Sequence, residues 1–142
     1  MYDSIGDYPH AIAQYDLWIA AHPDDSRKPI ALNGRCWSRA LSGAKLDLAL
    51  KDCNAALSGM PHNPSFLDSR GMVRLRMGDY PRAIADYDEA LAANDKIAWS
   101  HYGRGIAKLH LGQKEAGEAD LAKAKMLDPD IAEQAKKLGI VP

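Results

Sequence analysis

The sequence predicts an all-α fold, an α-solenoid of stacked helix-turn-helix units, on two observations. The first is a fixed period. Asp52, Asp86 and Asp120 stand 34 residues apart, and so do Ala56, Ala90 and Ala124. Arg35, Arg70 and Arg104 follow at 35 and 34, the extra residue falling in the turn near Gly43 and Ala44. A repeat of this length is the mark of a stacked-repeat architecture. The second is composition: alanine is abundant, valine nearly absent, and Phe occurs once, which favours helices over strands.

The elements follow in order along the chain. Residues 1–25 read as a half repeat that holds a second helix only, since the motif Gly-Asp-Tyr-Pro at 6–9 returns at 78–81, each time followed after one residue by Ala-Ile-Ala. Repeat 1 covers 29–63, with helices over 30–42 and 46–58. Repeat 2 covers 64–97. Its first helix runs from Pro64 to Met77, Gly78 closes it, Asp79 opens the next helix, and Pro81 sits in a first turn where its missing N–H costs nothing. In that second helix Ala83, Ile84, Tyr87, Ala90 and Leu91 share one face. Repeat 3 covers 98–129, with helices over 97–111 and 114–127. A last helix over 130–138 places Ile131, Ala135 and Leu138 on one side and Glu133, Lys136 and Lys137 on the other, the polar-backed shape that ends a solenoid.

The pattern resembles the tetratricopeptide repeat (TPR) family. Unit two carries Leu67, Arg70-Gly71, Arg74, Ala83, Tyr87 and Ala90 at the family's offsets. Unit three carries His101, Arg104-Gly105, Lys108, Gly117, Leu121, Ala124 and Pro129; unit one carries Leu32, Arg35-Cys36, Arg39, Ala49, Cys53, Ala56 and Pro61. The match departs where Arg replaces Leu and Arg or Lys replaces Tyr. It implies a right-handed solenoid over nearly the whole chain. Small residues are needed where paired helices approach to about 8–10 Å, so Gly71 and Gly105 are expected to face Ala83 and Gly117.

Against that pattern the start of the chain is incomplete. Only Met1 to Ile5 precede the first Gly-Asp-Tyr-Pro, with Tyr2 at the family's first-helix tyrosine. Three readings fit: a piece of a longer protein, a genuine terminus filled by Trp18, or an edge buried against a second copy. The last makes self-association through the open N-terminal helix a candidate interaction.

Charge and chemistry narrow the function. With 18 basic and 19 acidic residues and a net charge of −1 in 142, no surplus exists for wrapping a nucleic acid. No apolar run reaches the roughly 18 residues of a membrane span, and no leader is visible at the N-terminus, so the default compartment is the cytoplasm. His10, His22, His62, His101 and His110 form no ligand pair, so no metal is expected. No phosphate loop or nucleophile triad is found, so no cofactor and no enzymatic activity are expected. Cys36 and Cys53 occupy small buried positions and are expected to be reduced core residues, though they can approach across the hairpin.

Each arginine of the 34-residue series is followed 16 or 17 residues later by an aspartate. Arg35 with Asp52, Arg70 with Asp86 and Arg104 with Asp120 are therefore expected as structural ion pairs inside the repeats. Arg39, Arg74 and Lys108, one turn on, have no periodic partner and are candidates for a free basic stripe on solvated surface.

The family lines its concave surface with one face of the first helices. Carried onto this chain, that face holds Ile30, Asn33, Trp37 and Leu41, then Ser65, Asp68, Met72 and Arg76, then Trp99, Tyr102, Ile106 and His110. The resemblance thus implies an interaction module that takes a protein or peptide partner in an aromatic and apolar groove. The family's chaperone-tail clamp needs Lys and Asn there, whereas Asn33, Trp37, Asp68 and Ser69 stand in this chain. The alternatives are a structural or oligomerisation module, or a C-terminal regulatory domain of a longer, enzymatic protein.

Overall fold

The computed structural model describes residues 7–142, so the alignment of Tyr2 lies outside the described residues. Among those residues the chain forms eight helices and no strand: α1 (Tyr8–Ala21), α2 (Lys28–Ser42), α3 (Leu46–Gly59), α4 (Pro64–Arg76), α5 (Tyr80–Ala93), α6 (Ala98–His110), α7 (Lys114–Leu127) and α8 (Ile131–Lys137).

Local chemistry sets the ends. Asn63 opens α4 by accepting a hydrogen bond from Phe66 N at 3.2 Å, and Asp79 opens α5 by accepting one from Arg82 N. Both satisfy amides that have no partner inside the helix. Gly78 turns the chain between α4 and α5 at φ +80°, a left-handed conformation that glycine adopts without steric cost. The α2–α3 turn, also of three residues, uses two left-handed positions, Gly43 and the non-glycine Lys45 at φ 56°.

Three hairpins, α2/α3, α4/α5 and α6/α7, stack in series, with α2, α4 and α6 side by side as one layer. Each second helix also rests on the first helix of the next unit, α1 on α2, α3 on α4 and α5 on α6. α8 packs on α6 and α7, with Ile131 and Ala135 buried and its charged residues Glu133, Lys136 and Lys137 in solvent. Beyond it Ile140 is also buried. Arg76, at the end of α4, straps the stack together: its Nη1 donates to Ala40 O and Leu41 O of α2, and its Nη2 donates to Leu138 O at 2.8 Å. Burial lowers the pKa of this guanidinium, against a smaller opposing pull from Tyr8.

Small residues stand where the helices come closest. A Cβ on Gly105 would lie 2.8 Å from the Gly117 carbonyl oxygen, so those two backbones do meet. A Cβ on Gly71 would first meet the Tyr87 ring, at 2.7 Å. Tyr87 is fully buried between α4, α5 and α6.

Candidate functional site

A ladder of ion pairs runs through the seams between helices. Arg35 forks onto Asp52 with Nε at 2.9 Å and Nη2 at 2.7 Å; Arg70 does the same to Asp86, and Arg104 to Asp120. Such bidentate pairs are among the stronger polar contacts available to a protein. The expected basic stripe is overturned by the same seams. Arg39 Nη1 reaches Asp52, Arg74 Nη1 reaches Asp86 and Lys108 Nζ reaches Asp120, at 2.6, 2.9 and 2.9 Å. Each aspartate therefore serves two cations one helical turn apart, a sharing that a search for one partner per arginine overlooks.

A third contact links neighbouring units. The remaining Nη1 of Arg35, Arg70 and Arg104 reaches back to Asp16, Asn54 and Asp88 of the preceding second helix. The sequence does carry a signal for it, since each acceptor stands two residues beyond the register of the paired aspartates. The hydrogen bonds that Arg35 donates to Asp52 and Asp16 raise its pKa, and those that Arg104 donates to Asp120 and Asp88 raise that of Arg104. Burial pushes the Asp120 carboxyl up, but Arg104 and Lys108 outweigh it and hold it below the usual carboxylate range.

Cys36 and Cys53 are joined in a disulfide, which corrects the expectation of reduced core thiols. Both are fully buried. In register they occupy the positions of Gly71 and Tyr87, a pair that touches directly in the next repeat, so the closeness of those two positions brings the sulfurs together.

The concave layer is largely filled by its own side chains. Trp37 on α2 and Trp99 on α6 meet edge-to-face at 6.3 Å, and Trp99 meets Tyr102 in the same way at 6.1 Å. Because α4 lies between α2 and α6, the two indoles close across it. Trp37 is 9% exposed and Met72, on α4, 0%. Leu41, Tyr102 and Ile106 are buried as well, so five of the residues expected to line an open groove belong to the core. Large side chains from the first and third units meet over the second and fill the space that one unit leaves open.

Asp68 is the polar member of this filled face. Ser100 Oγ donates to its carboxylate at 2.6 Å, and burial pushes its pKa up to about 7 against that hydrogen bond. Arg76 is committed to the strap described above. His110 is exposed and stacks on Tyr80 of α5 at 4.6 Å. What remains accessible is a strip at one register position of each first helix: Ile30, 58% exposed, then Ser65, also exposed, and the half-buried Trp99, with the half-buried Asn33 beside them. Among the described residues no group of His, Cys, Asp and Glu side chains could hold a metal ion, and no helix is long and apolar enough to cross a membrane.

Comparison with known proteins agrees with this geometry. No protein-family model matches the chain. The "TPR repeat-containing thioredoxin TDX" of Arabidopsis thaliana is 34% identical over 91 residues, which is 64% of this chain and 24% of that protein. The chain thus spans about a quarter of that relative's length. Among solved structures, the thermophilic TPR protein TTC0263 of Thermus thermophilus superposes with a TM-score of 0.76 at 19% identity, covering 95% of this chain and 76% of that one. The first TPR of Spaghetti (RPAP3), bound to the HSP90 peptide SRMEEVD, gives 0.68 at 23% identity, with 81% and 90% covered. Repeat period, hairpin stacking and these likenesses agree on one fold, the helical-hairpin solenoid of tetratricopeptide repeat proteins.

Proposed function

We propose that this chain is a protein–protein interaction module that receives an apolar peptide segment across the concave layer of α2, α4 and α6. The observation that carries the reading is the accessible strip Ile30, Ser65 and Trp99, in which two of three residues are large and apolar on a face otherwise closed. The Trp99 ring is supported from below by Trp37 and Tyr102. A rigid aromatic held in this way anchors a partner at little entropic cost. The likeness to a TPR that carries a peptide supports a partner of peptide type.

The chemistry of the strip favours apolar over acidic segments. Arg35, Arg39, Arg70, Arg74, Arg104 and Lys108 are all engaged with seam carboxylates. Arg76 is spent on backbone carbonyls, and Asp68 contributes a carboxyl to the same face. An acidic C-terminal peptide such as SRMEEVD therefore finds no free cation among these groups.

Selection of random displayed peptides on the chain tests this directly. Winners are expected to carry paired apolar or aromatic residues, and Trp99→Ala should weaken them at least tenfold with an unchanged circular dichroism spectrum. Recovery of acidic peptides, or binding indifferent to Trp99→Ala, would contradict the assignment.

A further inference from the structure

The concave layer carries two parallel rows of side chains with different characters. Ile30, Ser65 and Trp99 share one register on α2, α4 and α6; three residues on, on the same face, stand Asn33, Asp68 and Tyr102. The outer row is large, small, large. Its smallest member, the exposed Ser65, stands one turn before the one charged residue of the inner row, Asp68. Ser100, which donates to Asp68, follows Trp99 directly in sequence. The carboxylate therefore lies at the middle of the strip, flanked by its two apolar ends.

Acceptors outnumber donors there. Asp68 is 8% exposed, and the hydroxyl of Ser100 satisfies one of its carboxylate oxygens at 2.6 Å. The other has no hydrogen-bond partner among the described residues and is not sealed from solvent. In the same row, Asn33 Oδ1 is buried with no donor at all. The seam aspartates, by contrast, each hold two cations. The chain has no cation to spare for Asp68: those of the seams are paired, and Arg76 is held by backbone carbonyls. Residues 1–6 contain no basic side chain. Of the helices packed on α4, none of α2, α3, α5 and α6 brings a charged group that shifts the Asp68 pKa. The titratable neighbour on α5 is the Tyr87 phenol, raised by burial first and then by Asp68 and Asp86. A carboxylate so placed gains most from a charged donor.

We propose that the partner segment read on this strip carries an arginine between its apolar residues, and that the guanidinium enters past Ser65 to pair with Asp68. The proposal rests on the concave reading above and adds one specificity-determining residue to it. An arginine suits the place on two counts. Its five N–H donors supply what the inner row lacks, and its plane stacks on an indole such as Trp99. Pairing needs the ionised carboxylate, whereas burial holds the Asp68 pKa at about 7 in the free chain. Binding of the arginine therefore releases a proton near neutrality and strengthens as pH rises through 7.

The probe is a displayed decapeptide library with one central position fixed as Arg, Lys, Gln or Glu and the rest random, selected on the full chain at about pH 8, above the Asp68 pKa. The Arg sublibrary should enrich most strongly, with apolar residues beside the fixed position. The best Arg peptide is then synthesised and titrated by fluorescence anisotropy. Changing its arginine to glutamine should weaken binding at least tenfold on the chain and leave it unchanged on Asp68→Asn, which keeps the shape of the side chain and an acceptor for Ser100. On the unmodified chain the Arg peptide should lose affinity about tenfold between pH 8 and pH 6, as Asp68 takes up a proton, while its Gln counterpart does not. Apolar winners without an Arg preference, lost with Trp99→Ala, overturn the pairing with Asp68 and leave the concave reading standing. An Arg preference that persists in Asp68→Asn, or an affinity level across that pH range, overturns it as well. No binder from any sublibrary overturns both readings.

Discussion

The hairpins α2/α3 and α4/α5 have the same architecture and hold their helices together by opposite means. In α4/α5 the contact is a missing side chain against a large one, Gly71 under the ring of Tyr87. In α2/α3 the same two register positions hold Cys36 and Cys53, joined covalently. The difference extends to the next unit. Tyr87 also presses on Gly103 of α6, and Tyr15 presses on Gly34 of α2. Where the second helix has Cys53, the corresponding residue of the next first helix is Ser69. A tyrosine in a second helix therefore requires glycine on both first helices it touches, and a cysteine there relaxes the second requirement. Complementary pairs, more than any single residue type, fix the spacing of this stack.

The strongest way to break the comparison is Tyr87→Ala. It removes a fully buried ring held between three helices, and about 3–5 kcal/mol of stability should be lost, read as the shift of a urea unfolding midpoint. The matching change in α2/α3 is loss of the disulfide, whose cysteines stand 17 residues apart. Reduction should cost about 3 kcal/mol, measured as a fall in melting temperature on adding a reductant under denaturing pretreatment. The comparison is sharpened by moving one solution into the other's place. Cys36→Gly, Cys53→Tyr and Ser69→Gly together should recover most of that loss and make the melt indifferent to reductant, whereas Cys53→Tyr without Ser69→Gly should not.

Asp68 marks a further contrast, a buried carboxyl with a hydroxyl partner, against the seam carboxylates with cation partners. Folding raises its pKa from 3.8 to about 7, so the folded chain binds more protons than the unfolded one between those values. Its share of stability is full below pH 3.8, falls as pH rises to 7, and is flat above that. The fall is on the order of 4 kcal/mol, and Asp68→Asn should flatten the profile of unfolding free energy over the same range. Asp120 has the opposite sign: its lowered pKa stabilises the fold above the unfolded value and is lost only as pH falls through the folded one. The smallest effect concerns the turns. Lys45 holds a left-handed conformation before α3 with no side-chain cap, and Lys45→Asn should add about 1 kcal/mol by relieving that cost and capping the helix.

Much of this fold is legible in the sequence because the repeat shows itself three times. The paired aspartates and arginines, the turn glycine at 78 and the prolines at helix starts each act within a few residues or one hairpin, where spacing is informative. The second cation on each aspartate and the reach of Arg35 back to Asp16 are harder to see, since spacing alone matches one aspartate to one arginine. The concave face is harder still. Which face Trp37, Met72 and Ile106 occupy follows from the period. Whether that face is open depends on Trp37 and Trp99 meeting across an intervening helix, a contact between distant residues that no period encodes. The same holds for the cysteines: Cys36 and Cys53 read as small residues, and only their overlap with the touching pair Gly71 and Tyr87 reveals a bond.

If partners are read on the concave strip of Ile30, Asn33, Ser65 and Trp99, a map of backbone amide chemical shifts on adding a selected apolar peptide at saturation shows it. The largest changes should fall on those four residues and their neighbours in α2, α4 and α6, and vanish with Trp99→Ala. Changes centred on the outer faces of α3, α5 and α7, with Trp99 and Ile30 unmoved, would contradict a concave binding surface.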